Sequence, residues 1–146
     1  MTTCRSADLY FSGFSKAISM NSEQSVLVVD DIPGFRAIIC EMLDELGFAS
    51  YIEASDGAEA FEKAQLWRPI LIISDYMMCP KTGMDLLADL KKDANLKDIP
   101  FILVSAVAEQ EVFDKAIALG ASGYIPRPIG FDKLRQAIVK AVNQAA

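Results

Sequence analysis

Three carboxylates, a hydroxyl and a cation stand at the ends of four short apolar runs. Val26-Leu27-Val28-Val29 stops at Asp30-Asp31, and Ile70-Leu71-Ile72-Ile73-Ser74 stops at Asp75. Phe101-Ile102-Leu103-Val104 stops at Ser105, and Tyr124-Ile125-Pro126 stops at Arg127. Unbroken apolar runs of this length read as strands covered on both faces. An ionised carboxylate is costly inside such a strand, so Asp75 is expected at its C-terminal end, where the strand reaches the surface. In an open parallel α/β sheet that edge is where ligands bind. If the four runs share it, the polar residues converge on Asp75.

Asp30, Asp31 and Asp75 would repel one another there. Two like charges about 4 Å apart cost on the order of 4 kcal/mol at an effective dielectric of 20. Such a cluster persists through protonation, ion pairing or a hard divalent cation, and an oxygen-only ligand set favours Mg²⁺ over zinc or copper. An isolated Asp-Asp pair has a blander explanation, namely the positive N-terminus of the helix that follows it. The company of Asp75, Ser105 and Arg127 favours a site. Asp75 then has two possible roles: metal ligand alone, or also nucleophile, accepting a phosphoryl group as an acyl phosphate. A transferred phosphoryl group brings charged oxygens that need a metal, a hydroxyl donor and a cation, and Ser105 and Arg127 supply the last two.

The elements that must position these residues follow from periodicity and punctuation. Pro33 suits the first turn of a helix whose apolar residues Phe35, Ile38, Ile39, Met42, Leu43 and Leu46 form one stripe, closed by Gly47. Phe48 to Ala54 reads as a second, less apolar strand nearer an edge. Asp56-Gly57-Ala58-Glu59 resembles a capping box opening a helix to about Trp67. Pro80 and Gly83 mark a turn after Asp75, and a third helix runs from Met84 to about Lys92. A fourth helix spans Glu109 to Leu119, a fifth strand Ser122 to Pro126, and a last helix Phe131 to Asn143. Five strands alternating with five helices imply a parallel sheet covered on both faces through right-handed crossovers.

Composition narrows the function classes. The 146 residues suit one domain, and 52% hydrophobic content supports a full core. Residues 1–24, rich in Ser and Thr and without a clear strand, read as a poorly ordered tail preceding a domain over residues 25–146. A net charge of -6 disfavours direct nucleic-acid binding through phosphates. With no His in the chain, His-based triads, His metal sites and a phosphohistidine of its own are excluded. Cys4, Cys40 and Cys79 are odd in number and lack a CxxC pair, which points to neither a disulfide framework nor a zinc site and suits a reducing cytoplasm. No apolar run approaches the roughly 18 residues of a membrane span. Asp-Asp-Ile-Pro-Gly follows the first strand where a dinucleotide fold has a Gly-rich turn. Tyr76-Met77 after Asp75 lacks the second carboxylate of an aspartate-nucleophile phosphatase.

On these motifs, residues 25–143 resemble the receiver domain of bacterial two-component response regulators, most of all the stand-alone chemotaxis-type members. The spacings carry the resemblance as much as the residue types. The acceptor Asp75 lies 44 residues after Asp31, Ser105 lies 30 after Asp75, and the basic-Pro pair starts 52 after Asp75. The resemblance implies a doubly wound, flavodoxin-like (βα)5 fold with a five-stranded parallel sheet. It implies that Asp31, Asp75 and the backbone carbonyl of Met77 hold Mg²⁺, with Asp30 acting through water. Asp75 would take the phosphoryl group from the phosphohistidine of a histidine kinase or phosphotransfer protein. Ser105 would then move to a phosphoryl oxygen, and Tyr124, at the aromatic switch position, would turn inward. Helix 109–119, strand 122–126 and helix 131–143 would present the face that an output protein reads.

Two departures from the family pattern stand out. The basic residue is Arg127 where the family has Lys; it is longer and planar, and it keeps the charge. Pro128 follows it, so a cis Arg127–Pro128 bond is expected. The loop after Asp75 reads Met78-Cys79-Pro80, with Pro one place later than usual. The leading expectation is a phosphorylation-driven signalling switch, not an enzyme, that acts in the cytoplasm as a monomer or weak dimer. Its runner-up is a degenerate receiver that docks as a phosphorylation-independent adaptor. Met77 and Val107, apolar at the positions flanking the acceptor in the family, imply slow self-dephosphorylation, while the small Ala106 leaves the donor's path open.

Overall fold

The computed structural model describes residues 25–106 and 109–145. The expected tail over residues 1–24 and the flanking residue Val107 lie outside the described residues. The elements follow in strict alternation: β1 (Val26–Val29), α1 (Pro33–Glu45), β2 (Tyr51–Ala54), α2 (Gly57–Trp67), β3 (Leu71–Asp75), α3 (Gly83–Lys91), β4 (Phe101–Ser105), α4 (Gln110–Leu119), β5 (Gly123–Pro126) and α5 (Phe131–Ala145). All four strand pairings are parallel, in the order β2-β1-β3-β4-β5.

Successive strand residues point to opposite faces, and the two cores follow that alternation. Val26, Val28, Leu71, Ile73, Ile102 and Val104 face Ile39 and Leu43 of α1 and Leu134 and Ile138 of α5. Leu27, Val29, Ile72, Phe101 and Leu103 face Ala60 and Ala64 of α2, Leu86, Leu87 and Leu90 of α3, and Ala116 of α4. The central strands are therefore apolar on both sides, as the unbroken runs require. β2, on the edge, pairs on one side only and carries the exposed Glu53.

The chain leaves β1 toward one side and later returns from β2 past β1 to build β3. The two C-terminal ends of β1 and β3 thus flank the point where strand order reverses, the place where open α/β sheets bind ligands. Val29 pairs with Ser74, so the next residues, Asp30 and Asp75, come level with each other.

Several boundaries differ from those read in the sequence. Phe48 does not open a strand. Gly47 adopts φ 92, and the Phe48 N–H donates to Leu43 O, so this residue seals the end of α1 and buries its ring in the core. The first helix is also not the simple stripe expected: Phe35 and Ile38 are exposed, and Cys40 is buried in their stead. The α2 cap is a variant of the box. Asp56 accepts from the Glu59 N–H, but Glu59 reaches back to the Ser55 N–H and hydroxyl instead of to Asp56. Among the described residues no helix is long and apolar enough to cross a membrane.

Candidate functional site

The C-terminal edge of the sheet brings the sequence-predicted residues together in a staircase. Asp75 ends β3 opposite Val104, and Ser105 ends β4 one step further, opposite Pro126. The next residue, Arg127, donates its N–H to Ser105 O at 2.9 Å. Its side chain turns back over the strand ends. Nη2 donates to Asp30 Oδ2 at 2.5 Å and to Asp75 Oδ1 at 3.1 Å, with Nε 3.4 Å from the same Asp75 oxygen. The Arg127–Pro128 peptide is cis, as expected, and so is Cys79–Pro80.

Asp30 is fully buried and Ser105 is too, whereas Asp31 is exposed. Asp75 is more enclosed than its place at a strand end led one to expect, at 9% exposure. Arg127 closes over it, and its guanidinium supplies hydrogen bonds and charge that a free carboxylate would otherwise seek from water. Asp30 is held from both sides: Oδ1 accepts from the Ile32 N–H at 2.9 Å, and Oδ2 takes Arg127. Its carbonyl accepts from Arg36 Nη1 at 2.6 Å, and Arg36 Nε reaches Glu53 on β2 at 2.9 Å. The first turn of α1 is thereby tied to the two strands beside it.

Carboxylate oxygens of Asp30, Asp31 and Asp75 all lie within 4.8 Å of one another. At that separation each like-charged pair costs about 3.5 kcal/mol at an effective dielectric of 20. Burial raises the pKa of Asp30 above the ordinary carboxylate range, against the Ile32 N–H that lowers it; the nearby Asp75 charge raises it further, and Arg127 lowers it. Burial likewise raises Asp75, against the opposing pull of Arg127, and Asp31 adds to the rise. Added positive charge would therefore favour the ionised form of both groups. The donor set is all oxygen, close-spaced and open on the Asp31 side, which fits a hard divalent cation.

The loop between β3 and α3 is clamped at its far end. Thr82 Oγ1 accepts from the Asp85 N–H at 3.1 Å and Asp85 Oδ2 accepts from the Thr82 N–H at 3.0 Å, a capping box. The Gly83 N–H donates to Tyr76 O at 2.8 Å. A Cβ on Gly83 would overlap the carbonyl oxygen of Asp75 and sit 2.8 Å from Leu103 Cδ1. Only glycine permits α3 to begin against the backbone of the candidate acceptor.

Tyr124 sits half-buried on β5, edge-on to Phe113 of α4 with ring centroids 5.5 Å apart. Beside it runs a groove lined by Phe113, Ile117, Tyr124, Lys133, Gln136 and Lys140. Met77 is exposed beside the cluster's loop, and Ala106 is exposed after Ser105. One partner escaped the sequence reading. Phe35, assigned to the buried stripe of α1, lies with its ring centroid 4.3 Å from Arg127 Cζ. The helical periodicity concealed this, because Phe35 is on the first turn, where α1 overhangs the sheet edge.

Comparisons with known proteins point one way. A family model described as the response regulator receiver domain matches residues 26–139. The chain is 33% identical over 115 residues to the chemotaxis protein CheY of Pseudomonas aeruginosa, covering 79% of this chain and 93% of that one. It is 31% identical over 121 residues to chemotaxis protein CheY-3 of Vibrio cholerae, covering 83% and 93%. In structure it is similar to Vibrio cholerae CheY4, with a TM-score of 0.75 at 28% identity over 81% of this chain and 98% of that one.

Proposed function

The chain belongs to the response regulator receiver domain family, and from that premise we propose that Asp75 is its phosphoacceptor and that phosphorylation there switches the face built by α4, β5 and α5. The observation that carries the reading is the convergence of Asp30, Asp31 and Asp75 within 4.8 Å, with Arg127 bonded to two of them.

A carboxylate oxygen of Asp75 attacks the phosphorus of a phosphohistidine on a kinase or phosphotransfer protein. The P–O bond forms as the P–N bond breaks, and the imidazole departs with the bonding electrons. Asp31, Asp75 and the Met77 carbonyl would hold Mg²⁺, with Asp30 engaged through water. When bound, the ion supplies positive charge to the phosphoryl oxygens. Asp30 keeps Arg127 beside the acceptor. Ser105, at the end of β4, offers its hydroxyl to a phosphoryl oxygen, and its displacement lets Tyr124 turn inward on the neighbouring strand. The result is a population shift between two surfaces of one fold. Reversal needs a water to attack phosphorus in line. Apolar side chains at Met77 and Val107 cannot hydrogen-bond that water, so decay is slow. The setting is a cytoplasmic signalling pathway, with a kinase on one side and an output protein on the other.

The adaptor reading keeps one supporting observation. Arg127 already satisfies Asp30 and Asp75 with its own charge, an arrangement that holds the site together without a phosphoryl group. Incubation with Mg²⁺ and a labelled small phosphodonor separates the two. The proposal expects one acid-stable, base-labile phosphate per chain in the parent and none in Asp75→Asn or Asp31→Asn. A parent that takes up no phosphate leaves the adaptor reading in place. Uptake that survives in Asp75→Asn assigns the acceptor elsewhere.

A further inference from the structure

Arg127 is gripped by three elements at once. Its guanidinium bonds Asp30 after β1 and Asp75 on β3, and one face is covered by the ring of Phe35 on the first turn of α1. The Arg127 side chain is only 15% exposed, whereas Phe35 is 37% exposed. Phe35 lies outside the buried face that Ile39, Cys40 and Leu43 of this helix present to the core. Its ring contacts Arg127 instead. A flat guanidinium can lay a face on a ring while its edge bonds carboxylates, so the two kinds of contact are compatible. An ammonium is a compact point charge with no flat face to stack on the ring.

The carboxylates that Arg127 engages are members of the cluster to which the divalent cation is assigned. We infer that Phe35 is a positioning residue that parks Arg127 across Asp30 and Asp75, and that this parked guanidinium competes with the divalent cation for those carboxylates. The inference rests on the metal reading of the cluster. Its consequence is that the cation affinity of this chain is set partly by a residue that touches no ligand oxygen. Entry of the ion requires Arg127 to give up part of its hold, and Phe35 opposes that release. Removing the ring weakens the competitor and tightens cation binding.

The test is Mg²⁺ titration of the full chain by calorimetry, in the parent, Phe35→Leu, Phe35→Tyr, Arg127→Lys and the Phe35→Leu/Arg127→Lys double variant. An exposed cation–π contact corresponds to about a two- to fivefold change in a competing equilibrium. Phe35→Leu keeps apolar bulk and should bind Mg²⁺ tighter by that factor. Phe35→Tyr keeps the ring and should bind as the parent does. In the Arg127→Lys background Phe35→Leu should have a much smaller effect, so the two substitutions should be non-additive. A second readout needs no metal: the guanidinium N–H resonances of Arg127 should shift downfield in Phe35→Leu as the ring current is lost. Unchanged or weaker Mg²⁺ binding in Phe35→Leu overturns the inference, as does an equal effect in the Arg127→Lys background. Either result leaves the metal reading intact if Asp31→Asn still weakens binding. A parent that binds no Mg²⁺ overturns both.

Discussion

Gly83 is where the start of α3 meets the backbone of Asp75, and Gly83→Ala is the sharpest structural perturbation of the site that leaves every polar group in place. The added Cβ would overlap the Asp75 carbonyl oxygen and press on Leu103 Cδ1 at 2.8 Å. Overpacking costs about 1–3 kcal/mol, and the upper end applies because the main obstacle is backbone that no rotamer change can move. Restricting the unfolded chain returns about 0.4–1 kcal/mol, leaving a net loss of about 2 kcal/mol. For a domain of this size that is a fall in Tm of about 6–8 °C. Gly34 provides the control. It lies in the first turn of α1, and an added Cβ there meets nothing within 4 Å. Gly34→Ala should stabilise by about 0.5–1 kcal/mol, the opposite sign for the same chemical change. Thermal and urea unfolding followed by circular dichroism measure both. Since relief of the clash displaces α3 or the Asp75 carbonyl, Gly83→Ala should also weaken Mg²⁺ binding. A Gly83→Ala variant as stable as Gly34→Ala would refute the close approach.

Three further outcomes follow. Glu59 is held down to about 2 from an ordinary 4.5, first by the Ser55 N–H, then by the Lys63 ammonium and the Ser55 hydroxyl. Its contribution to stability is complete above pH 4.5 and is lost as pH falls toward 2; Glu59→Gln should show a flatter acid limb in urea midpoints, and an identical limb would reject the assignment. Arg127→Lys should enlarge the change in partner affinity that phosphorylation produces, because an ammonium is not tied to Phe35; affinity for the output protein measured with and without phosphate checks this, and smaller coupling would show that Arg127 is adapted to the role. The acyl phosphate of the parent should outlast that of Met77→Asn/Val107→Glu in a decay assay, and equal lifetimes would remove the shielding explanation.

The sheet was legible because each strand run ended in a polar residue that cannot be buried alone, and those endings became the site. β2 was less so. Its pattern blurred into Phe48, which serves the end of α1, and an apolar residue cannot announce which of two neighbouring elements it packs under. The carboxylate cluster was also legible, since Asp30, Asp31 and Asp75 are near only if β1 and β3 are neighbours, and the alternation of elements made that topology natural. The enclosure of Asp75 was not, because it depends on where the Arg127 side chain lies, which spacing does not set. Phe35 was misassigned for a related reason. Helical periodicity assigns a face but not the point at which a helix runs past the edge of its sheet. Thr82-Gly83-Met84-Asp85 carries the capping-box signal for α3, one residue before the start read from the apolar pattern alone.

The central claim is that phosphorylation at Asp75 is transmitted to the Tyr124 face. Peptide-resolved amide hydrogen exchange on the phosphorylated chain, with Asp75→Asn treated identically, measures it most directly. The account predicts altered exchange in β5 and its flanking helices α4 and α5, little change in β2 and α2 on the far side of the sheet, and none in Asp75→Asn. Exchange that changes uniformly, or that stays unaltered around Tyr124 while Asp75 carries the phosphate, would contradict it.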